Sequence, residues 1–415
     1  MKHLLVTLAL LVTACTGGTG DEQSRAPARI AILGSDGNVA TFDPAGDETT
    51  FLTTDAGPSR IYSQPTWSPD GERLAFVSST VAAVGGPGIL AGATAARVGS
   101  EAQSEPEAAV HLSPIDGSAP TVVPTPFAPY YLYWSPDGTR LAFLGVDTAT
   151  QRQTLGVIDS GTLEVELLDT GQPYYFAWSP ASDRLLVHAG ASELYYLGMN
   201  GNRSDLAPTP TGFSAPGWQG NTQLIPADGP DGPILALFDA DGNMQRSIAN
   251  FGDGVALGLS PGTDRVAFID IVPGANPFEL GTLEVSSGQN TVIVAESASA
   301  FSWSADGARL LFLTPDVDGD EFRLRWNVWE NGESVKFERF LPTRTFVQQY
   351  LPFFGQYANS LALFSPDGGA FTFTGTIDGR GEGVWLQQVE GSDPARSIGA
   401  GEFSTWAQDL DESTG

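Results

Sequence analysis

The stretch Trp67-Ser68-Pro69-Asp70-Gly71, followed by Arg73-Leu74-Ala75-Phe76-Val77, returns as Trp134-Ser135-Pro136-Asp137-Gly138 before Leu141-Ala142-Phe143. Proline presets φ at the second position of a tight turn, Asp bonds the turn backbone, and Gly relaxes its exit. The alternating run behind each turn reads as a β-strand. Aligned on Trp67, the chain offers Trp134, Trp178, Trp218, Leu259, Trp303, Phe364 and Trp406, eight anchors in all. Five of the seven steps between them are 40 to 44 residues, the length of one four-stranded propeller blade. In the second copy the expected strands are 130–134, 140–144, 155–158 and 163–168. A two-layer sandwich would not need so regular a period.

The ends of the repeat carry complementary fragments. Before Trp67 only Arg29 to Leu33, Asn38 to Phe42 and Thr50 to Thr53 match strands two, three and four. At the other end, Glu402 to Trp406 matches strand one alone. The fragments sum to one unit, so the last strand is expected to pair with the first three and remove an exposed sheet edge. The expected fold is therefore an all-β, eight-bladed propeller closed by the C-terminal strand. Seven blades is the alternative, with the weak copy at Trp218 as an insertion. Two long steps locate excursions, one over 80–107 and one over 341–360.

The N-terminus runs Met1-Lys2-His3, then apolar from Leu4 to Val12, then Thr13-Ala14-Cys15. One positive charge, a short apolar core and small residues describe an export signal, and the core is too short to span a membrane. Val12-Thr13-Ala14-Cys15 resembles a bacterial lipobox, which implies lipidation of Cys15. The expected layout is a signal over 1–14, lipidated Cys15 with a tether over 15–28, the propeller over 29–408 and a tail over 409–415. The tether would reach roughly 20 Å as a random coil. Cys15 is the single cysteine, so no internal disulfide is expected. With 20 basic and 49 acidic residues the chain carries −29, a charge that repels phosphate backbones and argues against nucleic-acid binding.

The Trp-Ser-Pro-Asp-Gly turn followed by Arg-Leu-Ala-Phe resembles the TolB-like β-propeller repeats over residues 29–408. That resemblance implies the propeller fold and leaves function open, since such repeats serve scaffolds, binding proteins and peptidase propellers. The α/β domain that precedes the TolB propeller is not expected here, where a short tether leads into the first strand. Lipid-anchored relatives of this architecture occur in bacterial envelopes.

Chemistry-bearing residues are sparse. Beyond the leader only His111 and His188 are histidines, and no phosphate loop or Cys-x-x-Cys occurs. No enzyme activity and no cofactor are expected. Asp316, Asp318 and Asp320 form a carboxylate loop that could offer oxygen ligands to calcium, but Gly319 falls at the fourth position rather than the sixth, as in an ordinary hairpin. The 341–360 excursion places Phe346, Tyr350, Phe353, Phe354 and Tyr357 close together. They form either a partner-binding patch or a seal over a blade interface or channel mouth. Thr343 is expected to cap a short helix there that Pro352 ends. Tyr130, Tyr131, Tyr174 and Tyr175 are placed near the central channel, one of each pair facing the bore.

These features point to a lipid-anchored module on the extracytoplasmic side of the plasma membrane or at the outer membrane. Its expected role is a non-catalytic scaffold for an envelope protein partner. The alternatives are a small-molecule or peptide receptor using the channel, possibly transporter-associated, and a metal-dependent enzyme.

Overall fold

Each complete Ser-Pro-Asp-Gly turn is a bracket of side-chain and backbone hydrogen bonds. In the computed structural model Ser68 Oγ accepts from Arg73 N at 3.0 Å, and Asp70 Oδ1 accepts from Glu72 N at 3.0 Å. Gly71 N closes the turn on Ser68 O at 2.9 Å, with φ at 67°. The same arrangement recurs at Ser135, Ser304 and Ser365. Each bracket reverses the chain after an inner strand and launches the next one. The structure describes residues 28–80, 107–190, 192–206, 215–220, 222–252, 254–271, 279–294, 297–319 and 321–408.

The chain is a β-propeller of antiparallel sheets, six of them four-stranded and one seven-stranded. The second copy of the repeat forms Pro129–Trp134, Arg140–Asp147, Arg152–Asp159 and Val165–Gly171, the first three extending the expected strands and the fourth starting two residues later than expected. Trp218 belongs to a four-stranded sheet of its own, begun by Gly217–Gln219 and Thr222–Gly229, and not to an insertion. The closing sheet combines both ends of the chain. Gly401–Trp406 pairs with Ile30–Gly34, with Ile30 opposite Trp406 and Leu33 opposite Phe403.

The Trp and Arg of the motif join neighbouring units. The indole N–H groups of Trp67, Trp134, Trp178 and Trp303 donate to carbonyls of the preceding inner strand, those of Thr405, Thr66, Tyr133 and Gly258. In the other direction, Arg73 donates to Gly138 O at 2.9 Å and Arg309 to Gly368 O at 2.8 Å. Arg73 also lies over the Trp134 ring, 4.9 Å from its centroid, which adds a cation–π contact. One repeated motif, from the Trp to the Arg six residues on, thus makes a turn, launches a strand and clamps two seams.

Two departures from the repeat occur together. The strands Leu310–Asp318, Glu321–Glu330 and Glu333–Pro342 are longer than their counterparts, and the last continues into pairing with Ala370–Ile377. That pairing brings Leu341 O so near Gly375 that a Cβ there would sit 2.3 Å from it. Glycine is therefore required at this position. The inner strand expected before Phe364 is reduced to the bridges Phe364 to Phe371 and Ala362 to Trp406.

Antiparallel order sorts the connections onto two faces. The Ser-Pro-Asp-Gly turns lie on one face, and so do Ala28 and Gln408, the first and last described residues. The opposite face carries the bases of both excursions, at Thr80 and Glu107 and at Pro342 and Leu361, together with the hairpin turn at Gly319. Every interruption of the period is on this second face.

Candidate functional site

The 341–360 excursion does not stand off as a loop. It folds across the mouth of the central channel as a π-helical turn Phe346–Tyr350, a 3-10 turn Leu351–Phe353 and an α turn Phe354–Tyr357. Thr343 Oγ1 caps its start, accepting from Phe346 N at 3.3 Å. Contrary to expectation, Pro352 does not end the helical path. It occupies the first turn of the 3-10 segment, where a missing N–H costs nothing.

Gln356 makes the tightest junction. Its side chain, 4% exposed, meets the free edge of the inner strand Tyr174–Trp178 as a peptide group would. Its Nε2 donates to Phe176 O at 2.7 Å, while Phe176 N donates to its Oε1 at 3.1 Å. The Tyr131 hydroxyl completes the arrangement, accepting from Gln356 Nε2 at 2.9 Å and donating to Gln356 O at 3.1 Å. Tyr357 OH reaches Tyr130 O at 3.0 Å, and Thr343 Oγ1 reaches Glu402 O at 2.7 Å. The plug therefore satisfies main-chain groups of three inner strands that an empty channel would leave to water.

The aromatic residues divide by direction. Tyr350 and Tyr357 are 3% and 8% exposed, and burial removes them from any outward patch. Tyr350 stacks on Phe403 with centroids 3.6 Å apart, and Tyr357 meets Tyr131 edge-on at 5.1 Å. Phe346 packs on Trp326, and Phe354 on Phe301. Only Phe353 faces outward among the five, at 44% exposure, alongside exposed Val347 and Leu341. Desolvation pushes the Tyr131, Tyr350 and Tyr357 hydroxyls well above the ordinary phenol range, so all three stay neutral.

The four tyrosines of the inner strands fall into two kinds. Tyr131 touches the plug, and its ring neighbours Phe176 at 5.7 Å. Tyr174 is turned to Asp169, donating to Oδ2 at 3.0 Å. Tyr130 and Tyr175 are half-buried. The plug's Gln356 was not legible as a site residue. It is one of three glutamines in this aromatic run, and nothing in the sequence sets it apart from Gln348 and Gln349.

Asp316 and Asp318 are not arranged as metal ligands. Asp316 Oδ2 accepts from Arg325 Nε at 2.7 Å, and Asp318 pairs with Arg339 at 3.5 Å across the hairpin. Asp320 lies outside the described residues, as does Cys15. Among the described residues no group of three His, Cys, Asp or Glu side chains could hold a metal ion. His111 Nε2 bonds Ser78 Oγ at 2.9 Å, and the ring stacks on Phe76. Burial depresses its pKa to about 4. No described helix is long and apolar enough to cross a membrane.

Neither a family model nor the sequence of a characterised protein matches the chain. Solved structures share its β-propeller fold at low identity. An oligogalacturonate lyase in complex with manganese is 14% identical with a TM-score of 0.52, over 88% of this chain and 97% of that one. A eukaryotic initiation factor is 11% identical with a TM-score of 0.55, over 92% and 99%. TolB from Acinetobacter baumannii is 15% identical with a TM-score of 0.40, over 75% and 80%, too distant to carry an argument. The expectation that this chain is no enzyme does not stand. Enzymes are among the structures that share its fold, and sparse sequence motifs do not set it apart from them.

Proposed function

We propose that this chain is an eight-bladed propeller, held at the cell envelope by lipidated Cys15, that docks a protein partner through its plugged face. The eight-blade count takes the seven-stranded sheet as two units linked at Leu341 and Thr376. The observation that carries the docking reading is the division of the 346–357 segment. Tyr350, Gln356 and Tyr357 anchor it inward, which leaves Phe353 and Val347 held outward on a fixed support. A rigid aromatic on an ordered surface loses little entropy when a partner covers it. The bases of both excursions and the longest hairpin lie on this same face, so the departures from the repeat converge there.

The test is in-cell cross-linking from the plugged face, comparing the natural chain with Phe353→Ser. The exposed position predicts an intact fold and loss of the cross-linked partner. An unchanged cross-linking pattern would refute the docking reading. Retention at the envelope in a Cys15→Ser variant would separately refute the anchor.

A further inference from the structure

The hairpin that turns at Gly319 outruns the unit it belongs to. Among the described residues, the inner strand Ala300–Trp303 pairs with Leu310 to Leu313 only, and the ladder to Glu333–Pro342 ends at Leu324. Thr314 to Asp318 and Glu321 to Arg323 therefore continue as a two-stranded ribbon on the plugged face.

The ribbon has two unlike sides, because residues directly opposite in an antiparallel pair point the same way. Asp316 lies opposite Arg323 and Asp318 opposite Glu321, and this side is tied into a charge network. Arg323 pairs with Asp378 at 3.1 Å, and Arg339 pairs with Asp378 and with Asp318, both at 3.5 Å. The other side carries Val317 opposite Phe322, and these are 65% and 53% exposed. Two residues on from Phe322, the same side reaches Leu324, which is buried with Trp326 and Phe340. The plug packs on that cluster through Phe346, Leu351 and Phe354. Exposed Phe353 lies between Leu351 and Phe354 in the chain, so its outward ring adjoins the foot of the ribbon.

Three features select what covers Val317 and Phe322. The free edge of the ribbon is a poor template for an added strand. Leu313 O is taken by Ser299 N, so the next main-chain groups turned to that side belong to Pro315 and Val317, and Pro315 has no N–H to give. The spacing suits a helix instead: Cβ atoms opposite each other on a ribbon are about 4.5–5.5 Å apart, and those four residues apart on a helix about 5–6 Å. The charge suits a basic helix, since the ribbon ends in Asp318-Gly319-Asp320-Glu321 on a chain of net charge −29. We propose that the ribbon docks an amphipathic helix of a partner protein, with its apolar stripe on Val317, Phe322 and Phe353 and its basic flank at the acidic turn. This inference rests on the docking reading above and states the chemistry of the partner. The charge network on the far side holds the ribbon in place before the helix arrives, which lowers the entropy lost on binding.

The experiment uses the full chain and a fluorescein-labelled peptide, Lys-Leu-Leu-Lys-Lys-Leu-Leu-Lys-Leu-Leu-Lys-Lys-Leu-Leu-Lys, whose leucines recur at helical spacing. Binding is read by anisotropy at about 0.15 M salt. The test variant is Val317→Thr with Phe322→Thr, since threonine keeps the strand preference and removes the apolar surface. The control is Phe51→Thr with Met244→Thr, at positions equally exposed on other strands. All three chains carry the same charge, so the long-range attraction is constant among them. The test pair is expected to weaken binding roughly tenfold and the control less than about twofold. Equal weakening by both pairs, no saturable binding to the natural chain, or tighter binding of a strand-forming peptide of alternating Leu and Lys would overturn the proposal. A dimer of the natural chain that the test pair dissolves in sedimentation would overturn it too, by giving the ribbon to a second copy. If Phe353→Ser loses its cross-linked partner while the test pair binds the peptide normally, the ribbon assignment fails and the docking reading stands.

Discussion

Replacing Gln356 with Ala tests whether the plug is part of the folded core. The change removes the bonds from Gln356 Nε2 to Phe176 O and Tyr131 Oη, at 2.7 and 2.9 Å, and the bond from Phe176 N at 3.1 Å. Phe176 is fully buried, so its N–H and C=O are stranded rather than returned to bulk water. A buried polar group left without a partner costs about 1–3 kcal/mol, so two stranded groups predict a loss of about 3–5 kcal/mol. Tyr357→Phe removes only the hydroxyl that serves Tyr130 O and Gln64 Oε1. Its expected cost is smaller, about 1–2 kcal/mol. Urea unfolding followed by tryptophan fluorescence reads both, and hydrogen exchange over 346–357 reports the plug itself. If Gln356→Ala stays within about 0.5 kcal/mol of the natural chain, the claim that this side chain completes an inner strand edge is wrong.

Two further outcomes follow from packing and charge. Gly156→Ala places a Cβ 2.2 Å from Phe143 Cζ, and neither strand can yield without breaking its ladder; a loss of about 3 kcal/mol is expected in the same unfolding assay. His111 is held neutral to about pH 4, well below its unfolded value near 6.5. Its contribution is therefore fully present above pH 6.5 and is lost as pH falls from 6.5 towards 4, because the unfolded chain takes up the proton first. Discounted for partial solvent access, the amount is about 2 kcal/mol, and His111→Phe should flatten that part of the stability–pH curve relative to the natural chain.

The repeat was legible because it is written in local chemistry. Turn residues at fixed spacing and period-two alternation locate most of the strands, including the closing pair at Ile30 and Trp406. The weaker copy at Trp218 proved to be a sheet because its second strand, Thr222–Gly229, keeps the apolar run with Leu224 and Ile225 at the expected distance, although its turn has lost the motif. The inner strand before Phe364 was not legible as broken, since its residues are apolar in either case. Only the neighbouring plug and the sideways bridge to Trp406 explain it.

By itself, the sequence determined an all-β propeller of repeated four-stranded units, the pairing of its two ends, and the places where the period breaks. Tertiary structure decided what those breaks do. The anchoring of Gln356 and Tyr357 depends on Gln64, Tyr131 and Phe176, which lie 180 to 293 residues away along the chain. Asp316 and Asp318 became ion-pair partners because hairpin register set Arg325 and Arg339 beside them. A local pattern encodes a strand or a turn, but contacts between distant segments are fixed only when the sheets assemble.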